Sequence, residues 1–143
     1  NITEYPIDGQ GPRLLVINLH AVNFAVGLTD FNSQIMALEP LLNKHMGPLI
    51  IAGDFNTWSN NRSELLHSFM RKHQLSPVTF EPDQRTRFWN LPLDHVYLRD
   101  LNLVNATSVV VQSSDHNPLL ITVELPQCID CVAVSSEPPC TAC

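Results

Sequence analysis

The 143-residue sequence predicts an α/β fold, and three observations carry that expectation. Dense apolar runs too short for helices occur at Leu14–Ile17 and Pro48–Ala52. Between and after them, apolar residues recur at helical spacing. Several further strand-like runs then follow from Leu93 to Leu125. A composition of 44% hydrophobic and 15% charged residues is enough for one domain with a real core.

Leu14–Ile17 leads into Asn18-Leu19-His20, and its Val/Ile content suits a strand buried on both faces. From Asp30 to His45, Phe31, Ile35, Leu38, Leu41 and Leu42 mark a helix with Asp30 as its cap and Pro40 as a break or kink. Pro48–Ala52 is a second strand closed by Gly53-Asp54-Phe55-Asn56. Asn61 followed by Glu64 starts a second helix, whose stripe is Leu65, Leu66, Phe69 and Met70. Strands are expected near 78–80, 93–98, 101–104, 108–112 and 119–125, with a long polar loop over 81–91. After Leu125 the composition shifts to Pro, Ser, Thr and Cys, placing a domain end near Pro126 and a flexible tail over 127–143.

A net charge of -6 with eight Lys and Arg disfavours a broad nucleic-acid-binding surface. No apolar run approaches the roughly 20 residues that span a bilayer, and a cysteine-free body suggests a soluble, cytoplasmic domain. The four cysteines fall in Cys128-x-x-Cys131 and Cys140-x-x-Cys143, a tetrahedral zinc count with too short a central gap, so zinc is not expected there.

Asp54 and Asn56, two apart past a strand, share one rim if the chain stays extended. Asp115 and His116 precede the Leu119 strand, and would meet that rim if this strand ran antiparallel beside the Leu49 strand. Asp94 shares a face with Val96 and Leu98, so it needs a partner, and His116 is the obvious one. Arg62, Arg85 and Arg87 read either as phosphate contacts or as solvated loop charges, with Arg62 favoured as a contact. Trp58 and Trp89 are given no role, because a large aromatic is more often core than cleft.

This ordered set, from Asn18-Leu19-His20 through Gly53-Asp54-Phe55-Asn56 and Asp94 to Ser114-Asp115-His116-x-Pro118, resembles the second half of the endonuclease/exonuclease/phosphatase, or DNase I-like, superfamily. The flanking words are most similar to its bacterial YafD-like branch. The resemblance implies half of a four-layer α/β/β/α sandwich, a mixed sheet with helices on one face. It implies a phosphodiesterase or nuclease using Mg²⁺ or Mn²⁺ on a phosphate ester, with nucleic acid among the candidates. Asp54 would orient or deprotonate water, also touching metal, and Asn56 would hold a phosphate oxygen. Asp115 would be a metal ligand, and His116, set by Asp94, would stabilise the transition state. His20 would protonate the leaving oxygen or contact the phosphate. The family's earlier metal ligands precede Asn1, so the isolated chain is expected to bind metal weakly and turn over slowly. The alternative is a non-catalytic binding or dimerisation module, with homodimers forming through an exposed sheet face.

Overall fold

The computed structural model describes residues 1–7, 12–24 and 27–126; the Cys-rich tail lies outside them. Both expected helical segments form, the first split into two helices, within the expected strand-loop-strand framework, and local differences position the site.

Strand β2 (Arg13–His20) and strand β3 (Leu49–Asp54) pair in parallel, as the connection through helices α1 (Thr29–Met36) and α2 (Glu39–Lys44) requires. Pro40 does break the helical run: it takes the first turn of α2, where its missing N–H costs nothing. Asp30 sits in the first turn of α1 instead of capping it. Helix α3 (Asn60–Lys72) starts one residue before Asn61, because the Ser59 hydroxyl accepts the Arg62 N–H.

Strand β1 (Ile2–Pro6), which the periodicity does not reveal, adds antiparallel to β2. Strands β4 (Ser76–Pro77) and β7 (Asp94–Arg99) complete a five-stranded mixed sheet of order β1-β2-β3-β7-β4. Between them, β5 (Arg87–Phe88) and β6 (Leu91–Pro92) form a small hairpin inside the expected long loop. The two strands expected at 101–104 and 108–112 are one, β8 (Asn102–Ser108), which pairs with β9 (Leu119–Glu124).

The Leu119 strand therefore does not lie beside the Leu49 strand: β7 takes that place, antiparallel to β3. The reason is in the side chains. Residues 94–98 are buried without alternation, whereas β9 alternates between half-buried and exposed residues and suits a covering layer.

One face of the sheet buries Leu15, Ile17, Leu49, Ile51 and Tyr97 against Phe31, Ile35, Leu66 and Met70 of the helices. The other face, with Ile50, Ala52, Val96 and Leu98, packs under Leu119, Ile121 and Val123 of the β8–β9 hairpin. The chain thus holds helices, sheet and a hairpin layer, one layer more than expected. The apolar surface left to solvent lies on the hairpin, at Leu103, Val104 and Leu120, more than on the sheet.

Candidate active site

Register brings the first three site residues together. His20 pairs across to Asp54 at the ends of β2 and β3, and Asp54 pairs across to Asp94 at the start of β7. Three neighbouring strands thus present His, Asp and Asp at one sheet edge. His116, from the β8–β9 connection, reaches the same point and places Nδ1 2.9 and 3.0 Å from the two Asp94 carboxylate oxygens. A carboxylate only accepts, so Nδ1–H is the donor and Nε2 is left facing Asp54, 3.8 Å from its Oδ2. His20 Nε2 lies 3.5 Å from the same oxygen.

Asp54 is fixed from below. Its Oδ1 accepts the Asn56 N–H at 2.8 Å, and Asn56 Nδ2 donates to Asp54 Oδ2 at 3.3 Å and to the Ala21 carbonyl at 2.9 Å. Asn56 does not share an extended rim with Asp54, because its φ of 50° turns the chain. With a residue exposure of only 2%, it braces the carboxylate from inside instead of offering its amide outward. Phe55 is fully buried, as expected for the intervening residue, and its N–H is held by the Leu93 carbonyl.

Electrostatics follow from this packing. Burial, the largest single influence on His116, pulls its imidazole down. The Asp94 hydrogen bond and the carboxylates of Asp94, Asp54 and Asp115 outweigh it, so His116 titrates above its ordinary value. Burial pushes the Asp94 carboxyl up, partly offset by His116.

Asp54, Asp94 and His116 each offer a ligand atom within 4.8 Å of one another. Asp115 stands apart from that group: it is exposed, and its backbone carbonyl accepts the Thr86 hydroxyl. Arg62 is corrected from substrate contact to buried brace. Its side chain is fully buried between the Phe31 and Trp58 rings, donating to the carbonyls of Val22, Asn56 and Asn23 at 2.7, 3.2 and 3.0 Å. It ties the loop after β2 to the Asp54 loop. Arg62→Met is expected to cost about 3 kcal/mol in urea unfolding, since it strands several carbonyls. Arg62→Lys should rescue little, because one ammonium cannot span the same fork.

Arg85 and Arg87 are held as well. Both pair with Asp83, at 2.8 and 2.6 Å. The Arg85 hydrogen bond is the main reason the Asp83 carboxyl is pulled down to about 2.

His95, which the sequence offers as a structural or solvent-facing histidine, is a buried structural one. His95 Nε2 lies 2.7 Å from the Thr57 hydroxyl, which donates to the Pro92 carbonyl at 2.6 Å. This staple joins the Asp54 loop to the start of β7. A polar histidine inside the apolar run 93–98 is the signal that could have revealed it. Burial depresses the His95 imidazole to about 3, so it is neutral in the fold. The unfolded chain therefore takes up that proton first, and stability present above about pH 6.5 is lost as pH falls towards 3, by about 1.4 kcal/mol per pH unit. Urea titrations between pH 7 and 4 should show a slope that His95→Gln flattens.

A β-sheet edge carrying a braced carboxylate and an oriented His–Asp pair is an arrangement for acid-base chemistry. The Endonuclease/Exonuclease/phosphatase family model matches residues 2–116, and the chain belongs to that family. It is 49% identical over 116 residues to the UPF0294 protein VP2298 of Vibrio parahaemolyticus, covering 80% of this chain and 41% of that protein. The chain spans about two fifths of the length of the curated relatives it matches. Among solved structures, a functionally unknown conserved protein from Enterococcus faecalis aligns with a TM-score of 0.61 at 19% identity, covering 83% of this chain and 53% of that one. An endonuclease/exonuclease/phosphatase family protein from Bacteroides thetaiotaomicron aligns with a TM-score of 0.60 at 16% identity, covering 84% and 53%. The fold is the expected α/β arrangement, and the chain corresponds to the C-terminal half of the DNase I-like sandwich. Among the described residues, no helix is long and apolar enough to cross a membrane.

Proposed function

We propose that this chain supplies the C-terminal half of the active site of a divalent-metal-dependent phosphoesterase, a phosphodiesterase or nuclease completed by the rest of a longer protein. The observation that carries the reading is the register of His20, Asp54 and Asp94 across β2, β3 and β7, with His116 oriented on Asp94.

Attack on an anionic phosphate ester needs a positioned water, a proton acceptor, charge compensation and a proton for the leaving oxygen. Asp54, braced by Asn56, accepts the proton from water. His116, kept basic by Asp94, contacts a non-bridging phosphate oxygen as the cation. His20, whose side chain is 77% exposed at the rim, donates to the leaving oxygen.

The donor set fits a hard divalent cation in part. Both Asp94 oxygens accept from His116 and Asp115 stands apart, so the Asp54 edge is the oxygen ligand this geometry offers Mg²⁺ or Mn²⁺, and the exposed Asp115 carboxylate would have to turn towards it to join. Such an ion supplies charge neutralisation at the phosphate. We assign the remaining ligands to water, substrate and the portion of the longer protein outside this chain. The same portion, or a second copy in a homodimer, would cover Leu103, Val104 and Leu120.

The test is hydrolysis of DNA, RNA, phospholipid and small phosphodiesters with Mg²⁺ or Mn²⁺, comparing the chain alone with the longer protein. Metal-dependent turnover by the longer protein, lost in Asp54→Ala and His116→Ala, is expected, with the chain alone slow. Robust turnover by the chain alone would refute the completion part, and a metal-independent longer protein would refute the metal part. A turnover-inert longer protein would favour the binding-module alternative.

A further inference from the structure

Two exposed aromatics lie on the segments that follow β2 and precede β7, and neither packs against the described residues. The loop after β2 carries Phe24, 95% exposed, and the β5–β6 hairpin carries Trp89, 86% exposed, with Phe88 half-exposed beside it. The loop springs from the end of β2 and the hairpin leads into the start of β7. These are the two strands flanking β3, whose end holds Asp54. With neighbouring strands about 4.8 Å apart, the two supports rise about 10 Å from each other across Asp54.

Backbone next to each aromatic is fixed by an arginine. Arg62 fixes the carbonyls of Val22 and Asn23, the two residues before Phe24. Arg87 binds the Asn90 carbonyl across the hairpin turn and is itself held by Asp83. Trp89 has a φ of 55° at the first of two turn residues, a conformation that favours glycine. A bulky side chain in a strained backbone position, almost fully in water, gains nothing from packing. Its retention there points outward to a ligand.

Resting on the phosphoesterase reading above, we propose that Trp89 and Phe24 form stacking platforms on either side of the scissile phosphate, making the substrate a short base-bearing phosphodiester. An aromatic on each side of one phosphate matches base, phosphate, base along a single strand, and aromatic stacking accepts any base. Charge argues against a long polyanion as the target. The net charge is -6, and the arginines nearest the hairpin, Arg85 and Arg87, are neutralised by Asp83. Affinity would come from stacking more than from counterion release. A membrane anchor is disfavoured by the same charge, and by aromatics split between two loops on either side of a polar centre instead of gathered in one patch.

The test uses the whole chain, with isothermal titration calorimetry for every variant and tryptophan fluorescence for those that keep Trp89, titrating thymidylyl-thymidine against diethyl phosphate and inorganic phosphate. Quenching by the dinucleotide is expected with at least tenfold tighter binding than diethyl phosphate. Trp89→Gly should remove that advantage, and Phe24→Ala, read by the remaining Trp89 signal, should weaken it about fivefold. Because glycine suits the turn, Trp89→Gly should leave the unfolding midpoint unchanged or raised, separating a ligand role from a structural one. Equal affinity for diethyl phosphate, or dinucleotide binding indifferent to Trp89→Gly, overturns the proposal. So does a Trp89-dependent partition onto phosphatidylcholine vesicles without dinucleotide binding. The hydrolytic reading fails separately: His116→Ala should keep base-dependent quenching, and base-free diesters report on turnover without the platforms.

Discussion

Gly53→Ala is expected to break the central strand of the site. Gly53 pairs with Leu19 across β2 and β3 and has a φ of 144°. A Cβ there would fall 1.9 Å from the Leu19 carbonyl oxygen, against backbone that cannot swing aside as a flexible side chain could. Opening the β2–β3 pair by the required ångström or more would also loosen the His20–Asp54 register directly after it. A clash against main chain, added to an alanine at a strained φ, places the cost at about 4 kcal/mol or more, a large share of a small domain's stability. Soluble yield and the urea midpoint should both fall sharply. A midpoint within experimental error of the parent would show that β2 and β3 are not packed as described.

The second large effect is functional. In the active longer protein, His116→Ala should lower kcat by about a thousandfold, the scale on which removing one charge-stabilising donor acts. Asp94→Asn keeps the shape but removes the charge that opposes burial at His116. It should cost about a hundredfold, with the loss deepening as pH rises, because the imidazole then deprotonates earlier. The urea midpoint should fall moderately for His116→Ala, since the buried Asp94 carboxyl loses its partner but can be relieved by taking up a proton. A fall in kcat matched by a collapse in stability would instead make His116 structural.

The site was legible in the sequence to the extent that its chemistry is local. Asp54 follows a buried apolar strand, and Asp94 sits on an apolar face that demands a partner. Both properties survive in the structure as the paired ends of β3 and β7, with His116 on Asp94. The route by which they meet was not legible. That β9 lies beside β3 could only be a condition, because apolar runs report burial and not which strand is neighbour to which. The uninterrupted burial of residues 94–98 decided that place for β7. Arg62 and Asn56 were misread for a related reason. A charged or amide side chain near a functional loop looks outward in sequence, while carbonyls left open by that loop draw it inward. Strand β1 was invisible because its residues are all exposed and carry no apolar alternation. Pro40 was easier, since the break it makes is contained within a few residues, whereas both caps were displaced: Ser59 takes the place of Asn61, and Asp30 falls inside the first turn of α1.

The central claim is that Asp94 holds His116 as a basic, oriented imidazole over Asp54, and the most direct measurement is the NMR titration of that ring in the metal-free chain. The parent should show His116 titrating above 6.5, with Nδ1 protonated in the neutral form. In Asp94→Asn, burial acts with less opposition and the titration should move down. A His116 that titrates at or below 6.5 in the parent, or that is indifferent to Asp94→Asn, would contradict the account.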